Sequence, residues 1–429
     1  MSGKPRKAGD RFRQIGLEEA RERVRRFTSA MPAGDVALEL GVYRVLARGV
    51  RARVDSPTHN VSLKDGFAVV ASDTLPALEA SPVRLRIIGS RFAGGAESRE
   101  VRPGTAVRVT SGAVLPAGAD AVAGSEHVTA AARHIKVGSP LYVGQNVLLQ
   151  GTDVRAGDLL AGRGDLLTPG VIGRLAAAGL ERVRVCRSPR VALVATGDEL
   201  VAPGTALKPG QLYASNLWTV AAWLRAFGIE SICRVIPDRP QIIRKELVAA
   251  STAADVLMTS GGAWGSERDL VLNVLGQLGW RKVFHRVRLG PGKAVGFGLL
   301  GSMPVFCLPG GPPSNEMAFL QLALPGTLRL AGWQREPFPI LEARLAKPLT
   351  GREIDWTQIV RGTLSQDRHG VMWATPRKLA SRLASMAVAD CLIPIPEGTE
   401  RLEAGDTVQV QILSPPGSPR PLESTAGRD

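Results

Sequence analysis

The sequence predicts a multidomain α/β chain built around a parallel-type sheet. Three observations predict it. First, three apolar β-runs each end in a loop of small residues. Val191–Ala195 leads into Thr196-Gly197-Asp198-Glu199, Asp255–Met258 into Thr259-Ser260-Gly261-Gly262, and Pro304–Leu308 into Pro309-Gly310-Gly311-Pro312-Pro313-Ser314. Second, helical stretches separate these runs, the pattern that yields parallel strands. Third, the texture on either side of this block changes to short alternating runs, which places separate β units beside it. In a parallel sheet the carboxyl ends of the strands share one edge, where ligands bind. Small residues there let backbone N–H groups approach an anion, and a following helix N-terminus favours negative charge. The chain thus presents three anion-friendly loops on one rim, with carboxylates among them.

The elements follow in order. Leu17–Phe27 carries Arg and Glu at helical spacing, and Val36–Val45 reads as a continuation of this amphipathic segment. From about residue 52 come the strand-like runs Val83–Ile88, Ala106–Val109, Ala121–Gly124, His134–Val137 and Asn146–Leu149, punctuated by Gly, Pro and Asn. Thr168–Leu180 returns to helix, with Thr168 as N-cap, Pro169 at the first helical position and Gly179 as C-cap. Within the α/β block, Ser215–Phe227, Ile242–Thr252 and Asn315–Leu324 read as helices. After Gly332, short strands reappear at Pro339–Leu345, Ile359–Leu364, Val371–Ala374, Asp390–Ile395 and Asp406–Leu413, a small β domain of barrel or sandwich type. Ser414–Asp429 is rich in Pro, Ser and Gly and is expected to be disordered.

Composition narrows the function. A length of 429 residues exceeds one ordinary core, and two to four domains are expected. No apolar run approaches the roughly 20 residues of a membrane span. Residues 1–14 are basic and polar without an apolar segment behind them, so no signal peptide is expected and a cytoplasmic location is. Cys186, Cys233, Cys307 and Cys391 lie far apart without redox or metal spacing, as reduced buried thiols would. Five scattered histidines argue against a zinc site. The net charge of +15 raises nucleic acid as a partner, but the excess is spread out and aromatic residues make up only 5%. A basic surface suited to an acidic small ligand is the better reading.

An ordered series of short motifs runs through the chain: Asp65-Gly66-Phe67-Ala68, Ser111-Gly112-Ala113, Pro116–Val122, Gly144–Val147, Gly151-Thr152-Asp153, Thr196–Leu200, Ser215-Asn216, Asp238, Ser260-Gly261-Gly262 with Asp269, Pro291-Gly292-Lys293 and Leu308-Pro309-Gly310. Each alone is common; their order over most of the chain is specific. On these residues the chain resembles the molybdopterin molybdenumtransferases of molybdenum-cofactor biosynthesis (the bacterial MoeA type, with plant and gephyrin E-domain relatives). The resemblance implies a central three-layer α/β domain at 186–332. An elongated helical segment comes from 15–50 and 154–185, with a β domain inserted at 51–153 and a C-terminal β domain at 333–413. It also implies a homodimer with its site in a cleft between subunits. The implied reaction takes adenylylated molybdopterin and molybdate with Mg2+, and releases AMP and the finished cofactor, which can pass on to molybdoenzymes or their chaperones.

Such a substrate requires charge neutralisation on its phosphates and a positioned nucleophile. The loop residues Thr196, Gly197, Ser260, Gly261, Gly262, Pro309, Gly310, Pro312 and Ser314 suit the phosphates. Asp269, nine residues past Ser260, is expected to hold metal or to orient water or a molybdate oxygen. Glu199 and Asp238 follow two other strands and suit a hard cation. Asp65 and Ser111, in the inserted domain, reach the cleft in the family. Lys293, poorly placed for packing on a strand approach, is a candidate molybdate ligand, as are Ser381 and Arg382, which resemble an anion-binding stretch of plant-type relatives. Helix capping is the competing reading for Glu199, Asp238 and Asp269, and a solvated surface for Ser381 and Arg382.

The chain departs from the family pattern at Lys64, Ser111, Leu148, Gly290, Gly311 and, most pointedly, Trp264, where the family has a small Ser near the oxyanion. These departures leave the carboxylates intact and change the anion pocket. They keep open a tungstate-inserting paralogue and, from another class, a non-catalytic molybdopterin carrier. A scaffold role is disfavoured by the lack of a long linker.

Overall fold

The structure, a computed structural model, describes residues 14–96, 99–261 and 269–415. The chain divides into two compact units, Asp35–Val42 with Arg48–Arg184 and the remainder of the chain.

The larger unit is organised on a six-stranded sheet. Its strand order is Ser231–Ile236, Val191–Thr196, Val256–Ser260, Met303–Leu308, Gly296–Leu300 and Arg281–His285. The first four strands are parallel. Gly296–Leu300 runs antiparallel to both its neighbours, so the sheet is mixed where the sequence predicts a parallel one. Val191, Leu193 and Ala195 face one core and Ala192 and Val194 the other, the period-2 alternation of a strand covered on both sides. Helix Ser215–Ala226 buries Leu217, Val220 and Leu224 on the first face. Helices Pro240–Ala253 and Leu270–Gln277 bury Ile243, Leu247, Val271 and Val274 on the second, which completes three layers. The helix expected at Asn315–Leu324 starts at Pro312 and runs to Leu330, opening into a π turn at Phe319–Ala323.

Helix Leu17–Phe27 packs Leu17, Ala20 and Val24 into the same core. Glu18 and Glu19 in its first turn and Arg25 and Arg26 in its last complement the helix dipole. The reading of Val36–Val45 as helix is corrected: this stretch holds the end of a strand, Ala33–Ala37, and a single 3-10 turn, Leu38–Leu40. Pro32, Gly34 and Gly41 surround it with helix-breaking residues.

The C-terminal β domain resolves the choice between barrel and sandwich. Strands Thr357–Gln366, Met372–Pro376, Ile340–Leu345, Thr407–Ile412 and Cys391–Ile395 form a ring, which closes where Thr357–Gln366 pairs with Cys391–Ile395. Closure removes the exposed sheet edges. Leu345, Cys391, Ile393 and Val410 fill the centre.

The smaller unit carries its own six-stranded sheet, ordered Ala121–Gly124, Gly66–Val69, Thr105–Val109, Val83–Arg91, His134–Val137 and Val128–Ala130. Its helix Pro169–Ala177 starts as the sequence predicts, with the Thr168 hydroxyl accepting from the Val171 amide, and Gly179 takes the left-handed conformation (φ 80°) that ends it. All four cysteines are free thiols; three are buried, and Cys233 is half-buried. No described helix is long and apolar enough to cross a membrane.

Candidate active site

The parallel register brings the carboxyl ends of four strands to one edge: Ile236 pairs with Thr196, and Ser260 with Ala195 and Leu308. Adjacent strands are about 4.8 Å apart, so the loops after Thr196 and Leu308 sit roughly 10 Å from each other with the Ser260 loop between them.

The loops interlock. Gly261 has φ 97°, and a Cβ there would lie 3.0 Å from the Thr196 carbonyl oxygen, while a Cβ at Gly310 would lie 3.8 Å from Gly261 Cα. Only glycine combines that conformation with that approach. Above the loops stand two asparagines at helix starts. Asn216 Nδ2 donates to the Gly310 carbonyl at 2.8 Å and to Ser260 Oγ at 3.2 Å. Asn315 Nδ2 donates to the Pro309 carbonyl at 2.8 Å and to Ser260 Oγ at 3.0 Å. The two carbonyls fix each amide's orientation, because only the nitrogen end can face them.

Two consequences follow. Ser260 Oγ accepts two hydrogen bonds, so its remaining capacity is to donate its single proton. In a planar trans peptide the C=O and the next N–H point in opposite directions. Capturing the carbonyls of Pro309 and Gly310 therefore turns the N–H groups of Gly310 and Gly311, both exposed, to the opposite, open side. Two successive N–H groups facing one side make an anion cradle. The helix start contributes less than the sequence suggests. Pro312 and Pro313 have no N–H, and the Asn315 amide is bonded to the Gly311 carbonyl, which leaves Ser314 to donate there.

On the neighbouring strands lies an acidic rim. The Thr196 hydroxyl bonds the Asp238 carboxylate, and the Asp238 amide donates to Asp198 Oδ1 at 3.2 Å. Glu199 folds back over Gly197, where a Cβ would lie 2.7 Å from its carboxylate. Burial first, and then the charges of Glu199 and Asp198, push the Asp238 carboxyl above its ordinary value against the Thr196 hydrogen bond. The capping readings fail at the first two of these residues. Residues after Glu199 form a short strand, Leu200–Val201, and Arg239, not Asp238, occupies the N-cap of Pro240–Ala253.

Asp269 is buried at the N-cap position of Leu270–Gln277 yet makes no side-chain cap bond to that helix. Its carboxylate lies near Cys307: burial pushes that thiol up to about 12, and the Asp269 charge adds to the shift. Gly262 and Trp264 fall outside the described residues.

The remaining candidates are distributed. Lys293 is packed, with Nζ 4.9 Å from the centre of the Trp356 ring, contrary to the expectation that it is ill-placed for packing. Its neighbour Gly292 lies against the backbone of Ala318. The Ser381 hydroxyl caps helix Arg382–Ala387 by accepting from the Ala384 amide at 3.1 Å, which engages it structurally. That helix packs against Pro312–Ala318. In the smaller unit, Asp65 Oδ1 accepts from the Ser111 amide at 2.8 Å, so these two are brought together. Asn216 and Asn315 were not assigned roles from sequence. The signal for Asn315 was present: an Asn-Glu pair heads an otherwise apolar helical run, where burial demands partners.

Residues 192–328, which contain the cradle, match the family described as the probable molybdopterin binding domain. Residues 15–179 match the MoeA N-terminal region (domain I and II), and 342–413 the MoeA C-terminal region (domain IV). A molybdopterin molybdenumtransferase of Bacillus subtilis strain 168 is 32% identical over 93% of this chain and 94% of its own. The chain belongs to the molybdopterin molybdenumtransferase family. Its class is therefore a transferase of molybdenum-cofactor biosynthesis. The molybdopterin molybdenumtransferase 2 of Mycobacterium tuberculosis is 30% identical over 86% of this chain and 92% of its own. Two MoeA crystal structures from Pyrococcus horikoshii superpose with TM-scores of 0.74 and 0.76, at 33% and 26% identity, covering 94% and 93% of this chain and all of theirs. The MoeA-type fold is thus common to all three matched regions.

Proposed function

We propose that this member of the family inserts molybdenum from molybdate into adenylylated molybdopterin and releases AMP. The observation that carries the reading is the pair of asparagine clamps, which hold the Pro309 and Gly310 carbonyls on the Ser260 side and so turn the Gly310 and Gly311 N–H groups to the open side. Donors fixed before the ligand arrives stabilise phosphate charge without reorganising. The pyrophosphate bridge would lie on this cradle, alongside Thr196, Gly197, Gly261 and Ser314. Asp269, buried near Cys307, would orient the attacking water or molybdate oxygen. Lys293 and Arg382 would meet molybdate; Asp65 and Ser111, brought together in the smaller unit, are the remaining catalytic candidates.

No group of three acidic, His or Cys residues poised for a metal occurs among the described residues. Magnesium does not require one, since it takes one or two carboxylates and completes its shell with water and substrate phosphate. Glu199 and Asp238, at the rim and mutually repelling, fit that donor set; Asp269 is the third candidate. When bound, the ion would supply charge neutralisation on the bridging phosphates. The family resemblance further supports a cytoplasmic homodimer that hands its product to molybdoenzymes.

The experiment is AMP release from adenylylated molybdopterin by the purified full chain with Mg2+ and either molybdate or tungstate. Release with molybdate supports the proposal, and preference for tungstate replaces it with the tungsten paralogue. Tight binding without release would make the chain a carrier.

A further inference from the structure

Glu316 follows Asn315 in the chain and is buried in an ion pair to Arg361, itself buried on the barrel strand Thr357–Gln366. Its other oxygen accepts from Trp223 Nε1 at 3.1 Å. Trp223 stands on helix Ser215–Ala226, seven residues and about two turns beyond Asn216, hence on the same face. One carboxylate thus joins three elements: the helix that delivers Asn216 to Ser260, the helix that delivers Asn315 to Ser260, and the barrel. A second tether lies five residues on, where buried Gln321 donates to Gln411 Oε1 on strand Thr407–Ile412 at 2.8 Å. Gln321 lies in the π turn, a distortion frequent where a helix serves a site.

A buried ion pair is a poor device for stability, because an apolar pair of similar volume is often neutral or better. Its geometry is what an apolar pair does not reproduce. We infer that Glu316 and Arg361 are positioning residues: they set the two helices so that both asparagine amides reach Ser260 together, and through Arg361 the barrel controls the cradle. This rests on the cradle as the substrate site.

The test is the full-length double variant E316M/R361M, which removes both charges and keeps the volume. Thermal melting, the Kd for adenylylated molybdopterin, and kcat against KM for AMP release are measured beside wild type. We expect a melting temperature at or above that of wild type, affinity weakened roughly tenfold or more, and the loss falling on KM more than on kcat. Wild-type affinity in the folded double variant would overturn the inference. Should wild type itself not bind, the cradle reading fails instead. Should the double variant not fold, W223F, which deletes only the indole donor, decides: weakened binding at unchanged melting temperature supports the role, and unchanged binding overturns it.

Discussion

The two sides of the strand edge satisfy their polar groups in opposite ways. On the cradle side, Ser260, Asn216, Asn315 and the carbonyls of Pro309 and Gly310 bond one another, which leaves the Gly310 and Gly311 N–H groups to face outward. On the rim side, Asp198, Glu199 and Asp238 crowd like charges, with one hydroxyl and one amide between them. The first side is complete without a ligand; the second lowers its energy only when a cation or proton arrives. A site divided in this way suits a substrate whose phosphates are held by fixed donors, while Glu199 and Asp238 would hold a cation that neutralises phosphate charge.

The sharpest break in this comparison is at Asp269, the buried carboxylate on the cradle side. Asp269→Asn should lower kcat for AMP release by roughly 10²–10³-fold with little change in substrate affinity; turnover near wild type would remove Asp269 from the mechanism. Next is Asn315→Ala, which strips the clamp from one carbonyl and from Ser260. It should weaken substrate binding about tenfold and destabilise the fold by about 1–3 kcal/mol, read by calorimetry and denaturant titration.

The rim responds differently, through pH. The Asp238 carboxyl titrates above its ordinary value in the folded chain. Its contribution to stability is therefore fully present below the ordinary carboxylate range and is lost as pH rises through the raised pKa. Asp238→Asn should match wild type in acid melts and exceed it increasingly toward neutral pH, and it should blunt the stabilisation that wild type gains from Mg2+. A melting-temperature difference that does not change with pH would contradict the like-charge account. The smallest effect belongs to Ser381→Ala, where loss of the cap should cost about 1 kcal/mol and leave AMP release at the wild-type rate. A fall in molybdate affinity instead would return Ser381 to the anion pocket.

Much of this edge was legible in the sequence, for physical reasons. Val191–Thr196, Val256–Ser260 and Met303–Leu308 are short buried runs that end in small residues, and few other structures tolerate that pattern. The antiparallel pair Gly296–Leu300 and Arg281–His285 was not legible, because two glycines in one strand and an Arg-Lys start in the other mask the β signal. Val36–Val45 is ambiguous in sequence because apolar residues alternating through Leu38 and Leu40 satisfy more than one period over so short a span. The clamps escaped because a polar residue near a helix start reads as a cap. Only the tertiary structure places Asn216, Asn315 and Ser260, 99 residues apart at the extremes, on a single hydroxyl. Glu316 and Arg361 are invisible for the same reason.

The most direct test of the central claim is substrate binding and AMP release by wild type and Asn216→Ala/Asn315→Ala in parallel, with Mg2+ and molybdate present. The account predicts AMP release by wild type, and a folded double variant that binds adenylylated molybdopterin far more weakly and releases AMP only slowly. A folded double variant that binds and turns over as wild type does would contradict it, since the cradle would then not be where the phosphates lie.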